Sequence, residues 1–292
     1  MSTRRIWRGT APLLLAILAM TGNALAQSTK VIDVNEPRPL WQALDTLEAV
    51  VGSTINYEDP PFENMADCQD VSTPQQRAAQ PAGWRLIVPR DGHVTAEVRV
   101  PAAGTVPGND VIFDVGLLLA SYRRSNLPGD FKVEQANGAV YVTPTKVLGA
   151  DGAIRDVTSP LVVQITIPNA QRTVVETTEA ILEAVHKATG LRIVMGAFPY
   201  WPIETVGFGA SGEPARDALA RLFAQTAAGP LSYRLVFEPR PDLMRDTDYV
   251  LNVRRTAYVA PIAPLGAAPT AMSAPLPKGV PGNSPFRKKV PE

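Results

Sequence analysis

Residues 178–196, with the sequence TEAILEAVHKATGLRIVMG, decide the fold of this chain. Ile181, Leu182, Val185 and Ala188 recur at helical spacing, which places them on one apolar face. Gly190 can take the left-handed conformation that ends a helix without steric cost. Three apolar residues follow at 193–195. The stretch therefore predicts an amphipathic helix, a glycine stop and a short buried strand.

The same pattern occurs earlier in the chain, at residues 40–58, LWQALDTLEAVVGSTINYE. Self-similarity at a fixed offset is typical of a duplicated unit. An offset of 138 aligns the two helices and both glycines, placing Ala43, Leu44, Leu47, Val50 and Gly52 at the positions of Ile181, Leu182, Val185, Ala188 and Gly190. A second offset, of 104, aligns a later helix, placing Val111, Val115, Leu118 and Leu119 at the positions of Ala215, Leu219, Leu222 and Phe223.

The remaining patterns predict an α+β fold of two tandem βαββαββ repeats, with helices packed on small sheets. The first repeat covers residues 27–147 and contains a proline-marked insertion at 60–92, which the second repeat lacks. A polar, glycine-bearing linker is predicted at 148–161, and the second repeat covers 162–256. Asn137-Gly138 is a strong hairpin signal between two strands. The glycines at 209–212 predict a turn before the last helix.

Both ends of the chain are predicted to lie outside the repeats. Residues 1–26 combine three arginines, an apolar run at 12–20 and an Ala-Leu-Ala site, as in a secretory signal peptide. From Tyr258 onward eight of 35 residues are proline, which predicts a flexible, disordered tail at 257–292. We therefore expect a periplasmic or secreted protein with no membrane span after signal cleavage.

Charge and cysteine content exclude some classes of function. Without residues 1–26 the chain has 25 basic and 28 acidic residues, a net charge near −3. This balance gives no global attraction to nucleic acid or anionic lipid, so no nucleic-acid partner is expected. Cys68 is the only cysteine, which excludes an intramolecular disulfide. A buried or tolerated thiol is favoured over a disulfide to another chain.

No constellation of residues points to catalysis, a metal or a cofactor. The two histidines, His93 and His186, lie in different repeats, and a zinc site needs three or four converging ligands. The GxGxxG spelling at 207–212 is interpreted as a turn, because a dinucleotide site needs a parallel crossover around it. Glu58 and Asp59 could act with a further carboxylate in acid–base work, but an acidic strand end before a proline is favoured.

The candidate binding residues are mainly aromatic. Tyr200 and Trp201 belong to a compact aromatic–proline segment between two strands, and Trp84 lies in the insertion. Aromatic residues on loops often mark binding surfaces, although they can also cap the edge of a small core. Trp84, Tyr200, Trp201, Glu58 and Asp59 are the candidate residues for a binding site.

The helix–glycine–strand unit resembles the short N-terminal domain of secretins and TonB-dependent receptors, the STN domain. The matching residues are 177–182, 190–194, 213–219, Leu222 and 231–234, and residues 31–143 match more loosely. The chain is also similar to exported bacterial proteins with a paired copy and a Tyr-Glu-Asp-Pro segment, here 57–60. The resemblance implies a periplasmic module that docks other envelope proteins. No transmembrane barrel follows the repeats, so the pore and receptor functions are not expected.

We accordingly expect a non-enzymatic protein-binding or assembly module of the bacterial cell envelope, with an envelope protein as partner and strand addition at a sheet edge as its mode. The alternatives are an envelope hydrolase that uses carboxylates near Glu58 and Asp59, and a binder of peptidoglycan or a small molecule. A pocket with two or more convergent carboxylates would favour the hydrolase.

Overall fold

The computed structural model of the protein describes residues 28–80, 85–101, 110–198, 204–227, 229–238 and 249–256. The first half contains, in chain order, β1 (Thr29–Pro37), α1 (Pro39–Val51), β2 (Ile55–Glu58), β3 (Cys68–Asp70), α2 (Pro74–Ala79), β4 (Ile87–Pro89), β5 (Asp91–Arg99), α3 (Asp110–Arg124), β6 (Asp130–Ala136) and β7 (Ala139–Leu148). The short strand β8 (Ile154–Asp156) follows. The second half contains β9 (Gln164–Thr173), α4 (Val174–Thr189), β10 (Ile193–Met195), β11 (Thr205–Pro214), α5 (Ala215–Ala224), β12 (Leu231–Phe237) and β13 (Tyr249–Arg255).

The predicted α+β class is confirmed, and the two halves share one pattern of strand pairing. In each half the first strand forms a two-stranded antiparallel ribbon, β1 with β5 and β9 with β11. The strand after the first helix pairs in parallel with the last strand, β2 with β7 and β10 with β13. The last two strands of each half pair antiparallel. Each half therefore has the βαββαββ order once β3, α2, β4 and β8 are set aside.

The small sheets of the two halves are joined into one. The strand order is β10-β13-β12-β2-β7-β6, and β8 pairs with the end of β7. The joint is a short parallel pairing of β12 with β2, in which Arg234 lies opposite Tyr57 and Leu235 opposite Glu58. The chain thus builds one shared sheet from two halves, with β10 and β6 at the ends of this strand order.

Each half covers a different face of the shared sheet. Side chains alternate along a strand, so neighbouring residues serve opposite faces. On β7, Val140 and Val142 join the core of the first half, whereas Ala139 and Tyr141 join the core of the second half. Helices α1 and α3 therefore cover one face, and α4 and α5 cover the other.

Local sequence explains where α4 begins and ends. Thr173 accepts a hydrogen bond from the backbone N–H of Glu176, and the Glu176 carboxylate accepts one from the backbone N–H of Thr173, which forms a capping box. Gly190 ends the helix with φ 77°, as the sequence predicted. Ile181 is fully buried, but Ala188 is exposed because the last turn of α4 carries no packed face.

The helix α1 follows the same plan with one difference in its apolar face. It begins at Pro39 and ends at Val51, and Gly52, which has φ 66°, caps it. Its buried face includes the acidic residue Glu48, whereas Val50 is only partly buried. The carboxylate is buried because it has a partner in the second half, described below.

The structure confirms one of three loop predictions and differs from the other two. The hairpin at Asn137-Gly138 is confirmed, and both residues have positive φ angles, of 52° and 75°. The turn predicted at residues 209–212 is wrong, because β11 continues through them with two register shifts. Gly212, at φ 63°, supplies the left-handed conformation that such bulges use. Residues 148–161, predicted as a linker, carry β8 and a 3-10 turn at Pro160–Val162.

The insertion at residues 60–92 is not wholly irregular. It contributes a 3-10 turn at Met65–Asp67, the antiparallel pair β3–β4 and the short helix α2, and its last residues begin β5. The predicted signal peptide at 1–26 and the predicted tail at 257–292 lie outside the described residues. Among the described helices, none has the length and apolar character that a membrane crossing requires.

Candidate functional site

Glu58, the last residue of β2, is buried on the face covered by the second half. The Tyr233 hydroxyl donates a hydrogen bond to Glu58 Oε1 at 2.9 Å, and Glu58 is 1% exposed. Burial raises the pKa of Glu58, and donation from Ser159 and Tyr233 opposes this shift only in part. Glu58 is therefore a carboxyl group that the fold keeps away from water.

Asp59 lies one residue later and faces the other way. Its Oδ1 accepts from the Tyr57 hydroxyl at 2.8 Å, and its Oδ2 accepts from Arg38 Nε at 2.7 Å and from the backbone N–H of Phe237 at 3.1 Å. Burial raises the pKa of Asp59, while Arg38 and the hydroxyl donor oppose the shift. Arg38 also donates to the carbonyl of Phe237, so this cluster ties the start of α1 to the end of β12.

The two carboxylates do not converge on a pocket. Glu58 bonds to Tyr233 in the core of the second half, whereas Asp59 bonds to Tyr57 in the core of the first half. The hydrolase alternative requires two or more carboxylates that reach one substrate from a common cleft. The structure instead uses this pair to join the two halves, one carboxylate on each face of the sheet.

Trp84, Tyr200 and Trp201 lie outside the described residues. Their neighbour Phe198 is described, and its ring packs edge-on against Phe223 of α5, with 6.5 Å between the centroids. Phe198 is partly buried against the core of the second half. Phe198, three residues after the end of β10, is therefore anchored on the core of the second half.

An open groove lies between α4 and β10. It has a volume of about 690 Å³, within the range of ligand sites in proteins. Its apolar floor is formed by Leu182, Ile193 and Met195. The wall from α4 carries Glu179, Glu183 and His186, and Arg192 lines the end near the helix stop. Sequence reasoning found these elements but could not show that they enclose a groove.

The backbone of β10 has one paired side and one open side. Arg192 O accepts from the N–H of Tyr249, and the N–H of Gly196 donates to Leu251 O, so these residues face β13. In a strand the N–H and C=O of alternate residues point to the same side. Ile193 and Met195 therefore direct their N–H and C=O groups away from β13, where no described strand pairs with them.

His93, His186 and Cys68 do not form a metal site with other described residues. No group of three or more His, Cys, Asp or Glu side chains in the described ranges is close enough to hold an ion. His186 Nδ1 lies 3.1 Å from the Leu191 carbonyl, at the end of α4. Cys68 is buried with Phe62 and Ile87, and burial raises the pKa of its thiol to about 11. Such a thiol is poorly ionised and unreactive.

Comparison with known proteins assigns no relative to this chain. No protein-family model matches it, and no curated protein and no solved structure is significantly similar to it. The resemblance to STN domains therefore stays a prediction, and function must be argued from the groove itself.

Proposed function

We propose that this chain is a non-enzymatic binding module of the bacterial cell envelope, exported by its N-terminal segment. Its ligand is an extended segment of a partner protein, which adds as a further strand beside β10. The observation that carries this proposal is the open side of β10 next to the groove of α4, where backbone groups and an apolar floor are available together.

The composition of β10 supports binding at this end of the sheet rather than at the other. Proteins commonly protect open strand edges with charged residues, proline or bulges. The strand β6, at the opposite end, carries Lys132 and Glu134, which form an ion pair of 2.8 Å. The strand β10 is Ile-Val-Met and has no charge of its own. An apolar, uncharged edge is the composition expected of a strand that accepts another strand.

The small number of backbone N–H and C=O groups on the open side of β10 predicts weak binding. Ile193 and Met195 offer two N–H donors and two C=O acceptors, and each hydrogen bond contributes a net of about 0.5–1.5 kcal/mol. The loss of translational and rotational freedom on association offsets much of this gain. We therefore expect dissociation constants of roughly 10 μM to 1 mM for a short peptide. Side chains seated on Leu182 and Met195 must supply the specificity.

Peptide display on the mature chain tests this function. Peptides selected from a random library are measured by fluorescence anisotropy against the wild type, Met195→Pro and Met195→Ala. Proline removes the outward N–H of residue 195 and leaves the pairing with β13 intact, whereas alanine removes the same side chain but keeps the N–H. We expect at least a tenfold loss for Met195→Pro relative to Met195→Ala. Equal binding by the two variants would refute strand addition.

A second function, binding of a peptidoglycan fragment or another small molecule, is favoured by one observation. The groove has polar side chains, Glu179, Glu183 and His186, above an apolar floor, which is the usual make-up of a small-ligand site. Such a ligand does not need the edge of the strand. Titration of muropeptides should then give equal affinity for Met195→Pro and Met195→Ala, together with a loss in Glu179→Gln. Envelope hydrolysis has less support, because Glu58 and Asp59 diverge.

A further inference from the structure

We infer that residues 286–290 of this chain, with the sequence FRKKV, bind in the α4–β10 groove and compete with the partner for it. This inference rests on the proposed binding at β10 and assigns a means of regulation to the same site. Three observations carry it: the distribution of charge, the spacing of the charged side chains, and the length of chain that follows β13.

Charge is divided unequally between residues 27–256, here called the body, and the C-terminal residues 257–292. Residues 257–292 contain four basic residues, Lys278, Arg287, Lys288 and Lys289, and one acidic residue, Glu292. When these and the three arginines of residues 1–26 are removed from the 28 basic and 28 acidic residues of the chain, 21 basic and 27 acidic residues remain. The body thus has a net charge of −6 and the C-terminal residues have +3, so the two attract each other.

The spacing of the two carboxylates on the α4 wall of the groove matches that of an extended basic segment. Glu179 and Glu183 are exposed and lie four residues apart on α4, hence about 6 Å apart along its axis. Side chains two residues apart in a strand are separated by about 6.6 Å and point the same way. An added strand can therefore place Arg287 and Lys289 against these two carboxylates. Glu183 already has Lys187 at 3.2 Å, a contact that an incoming cation can replace because both side chains are exposed.

The segment 286–290 is also suited to strand pairing. It lies between Pro285 and Pro291 and contains no proline itself, so each of its residues has a backbone N–H. The other five-residue stretch without proline after Thr256 is TAMSA, at 270–274, which carries no charge. Segment 286–290 therefore combines the donors needed by β10 with the charges needed by α4.

The chain is long enough for this contact to form within one molecule. The last residues of β13 extend four residues past Leu251, which pairs with Met195, or about 13 Å along the strand. Twenty-nine residues lie between Thr256 and Phe286, and at about 3.1 Å per residue they reach roughly 90 Å. A tethered ligand of this kind has an effective concentration of about 1 mM. If its affinity is about 100 μM, it fills the groove about nine-tenths of the time and weakens partner binding roughly tenfold.

A competition experiment on the full mature chain tests the inference. The probe is a fluorescein-labelled peptide with the sequence of residues 285–291, PFRKKVP, which is added in trans. The variant Arg287→Glu/Lys288→Glu/Lys289→Glu should bind the probe about tenfold more tightly than the wild type, because its own segment no longer competes. Lys278→Glu, a charge reversal outside the segment, should change the affinity less than twofold. Adding Met195→Pro or Glu179→Gln/Glu183→Gln to the triple variant should weaken probe binding at least tenfold.

The outcomes separate the inference from the proposed function. Equal probe binding by the wild type and the triple variant, with loss in Met195→Pro, refutes self-occupancy but leaves the groove as a strand acceptor. Tighter binding by the triple variant that does not depend on Met195 or the two glutamates refutes the site. Competition that grows with protein concentration, together with dimers in sedimentation, assigns the segment to a second copy and refutes the intramolecular contact. No binding of the probe to any variant refutes the inference, while display-selected peptides still test the proposed function.

Discussion

Replacement of Arg234 by methionine is the most direct test of how the two halves are joined. Arg234 lies on β12, in the second half, with a side chain that is 1% exposed. Its guanidinium donates to Asp45 at 2.8 Å and to Glu48 at 2.8 Å, both on α1 of the first half, and to the carbonyls of Ile55 and Tyr233. Methionine has similar length and no charge, so it fills the space without replacing these donors.

The free-energy cost of Arg234→Met depends on which hydrogen-bond and ion-pair partners Asp45 and Glu48 keep. Asp45 is 21% exposed and keeps Trp41, at 3.0 Å, and Arg254 as partners. The Glu48 carboxylate is fully buried, and among the described side chains it keeps the Ser232 hydroxyl, at 2.7 Å, as its one remaining partner. Breaking a buried ion pair from one side costs about 3–5 kcal/mol, because the remaining charge is left without compensation. We expect Arg234→Met to lower the free energy of unfolding by about 4 kcal/mol, a large part of a typical total of about 5–15 kcal/mol.

Urea unfolding followed by tryptophan fluorescence measures this effect, and Trp41 reports on the site itself. The double variant Arg234→Met/Glu48→Gln removes the stranded charge and should recover roughly 2 kcal/mol of the loss. Lys187→Met, which breaks an exposed pair on α4, is the control and should cost less than about 0.5 kcal/mol. A loss below 1 kcal/mol for Arg234→Met, or no recovery in the double variant, would show that the joint does not depend on this buried pair.

Three further predictions concern single groups. The stability of Glu58→Gln relative to the wild type should be higher at pH 8 than at pH 5. Burial raises the pKa of Glu58 above its unfolded value, so the native state binds the proton more tightly. Wild-type stability therefore falls as the pH rises from 5 to 8, and the variant lacks this loss. Urea titrations at the two pH values check this, and an unchanged difference between variant and wild type would contradict it. Thr173→Ala removes the capping box of α4 and should cost about 1 kcal/mol, measured by thermal unfolding, whereas Thr46→Ala in the middle of α1 should cost less than half as much. Cys68 should react with iodoacetamide at pH 8 about a hundredfold more slowly in the native state than in urea, because its pKa of about 11 leaves little thiolate, and equal rates would show that the thiol is accessible and ionised.

Local structure could be predicted from the sequence because it depends on neighbours in the chain. The apolar stripes of α3 and α5, the stop at Gly190 and the hairpin at Asn137-Gly138 all lie where periodicity and turn chemistry place them. The turn expected at residues 209–212 shows the limit of such reasoning. Glycine permits a positive φ angle in a turn and in a bulge alike, and only the pairing of β11 with β9 decides between them.

The candidate site could be predicted only in its parts. The sequence predicted α4, β10 and the aromatic segment that follows. An open edge depends on the order of the strands in the sheet, and hydrophobic periodicity does not predict that order. The choice of Glu58 and Asp59 as possible reactive groups followed from their adjacency. Adjacent residues in a strand serve opposite faces, so Glu58 bonds to the Tyr233 side chain of the second half, whereas the side-chain partners of Asp59, Arg38 and Tyr57, belong to the first half.

The joining of the two sheets did leave a signal in the sequence, at positions where a charge interrupts an apolar pattern. Glu48 occupies a core position of α1, and Arg234 stands in the apolar strand Leu-Ser-Tyr-Arg-Leu-Val-Phe. In a separate half, one face of β12 would meet water, and Ser232 and Arg234 would be ordinary surface residues. Here α1 of the first half covers that face, and the two misplaced charges neutralise each other across the joint. The ion pair buries the polar face of β12, and the pairing with β2 places this strand in the centre of the shared sheet. The second half is therefore left with β10 as its open edge.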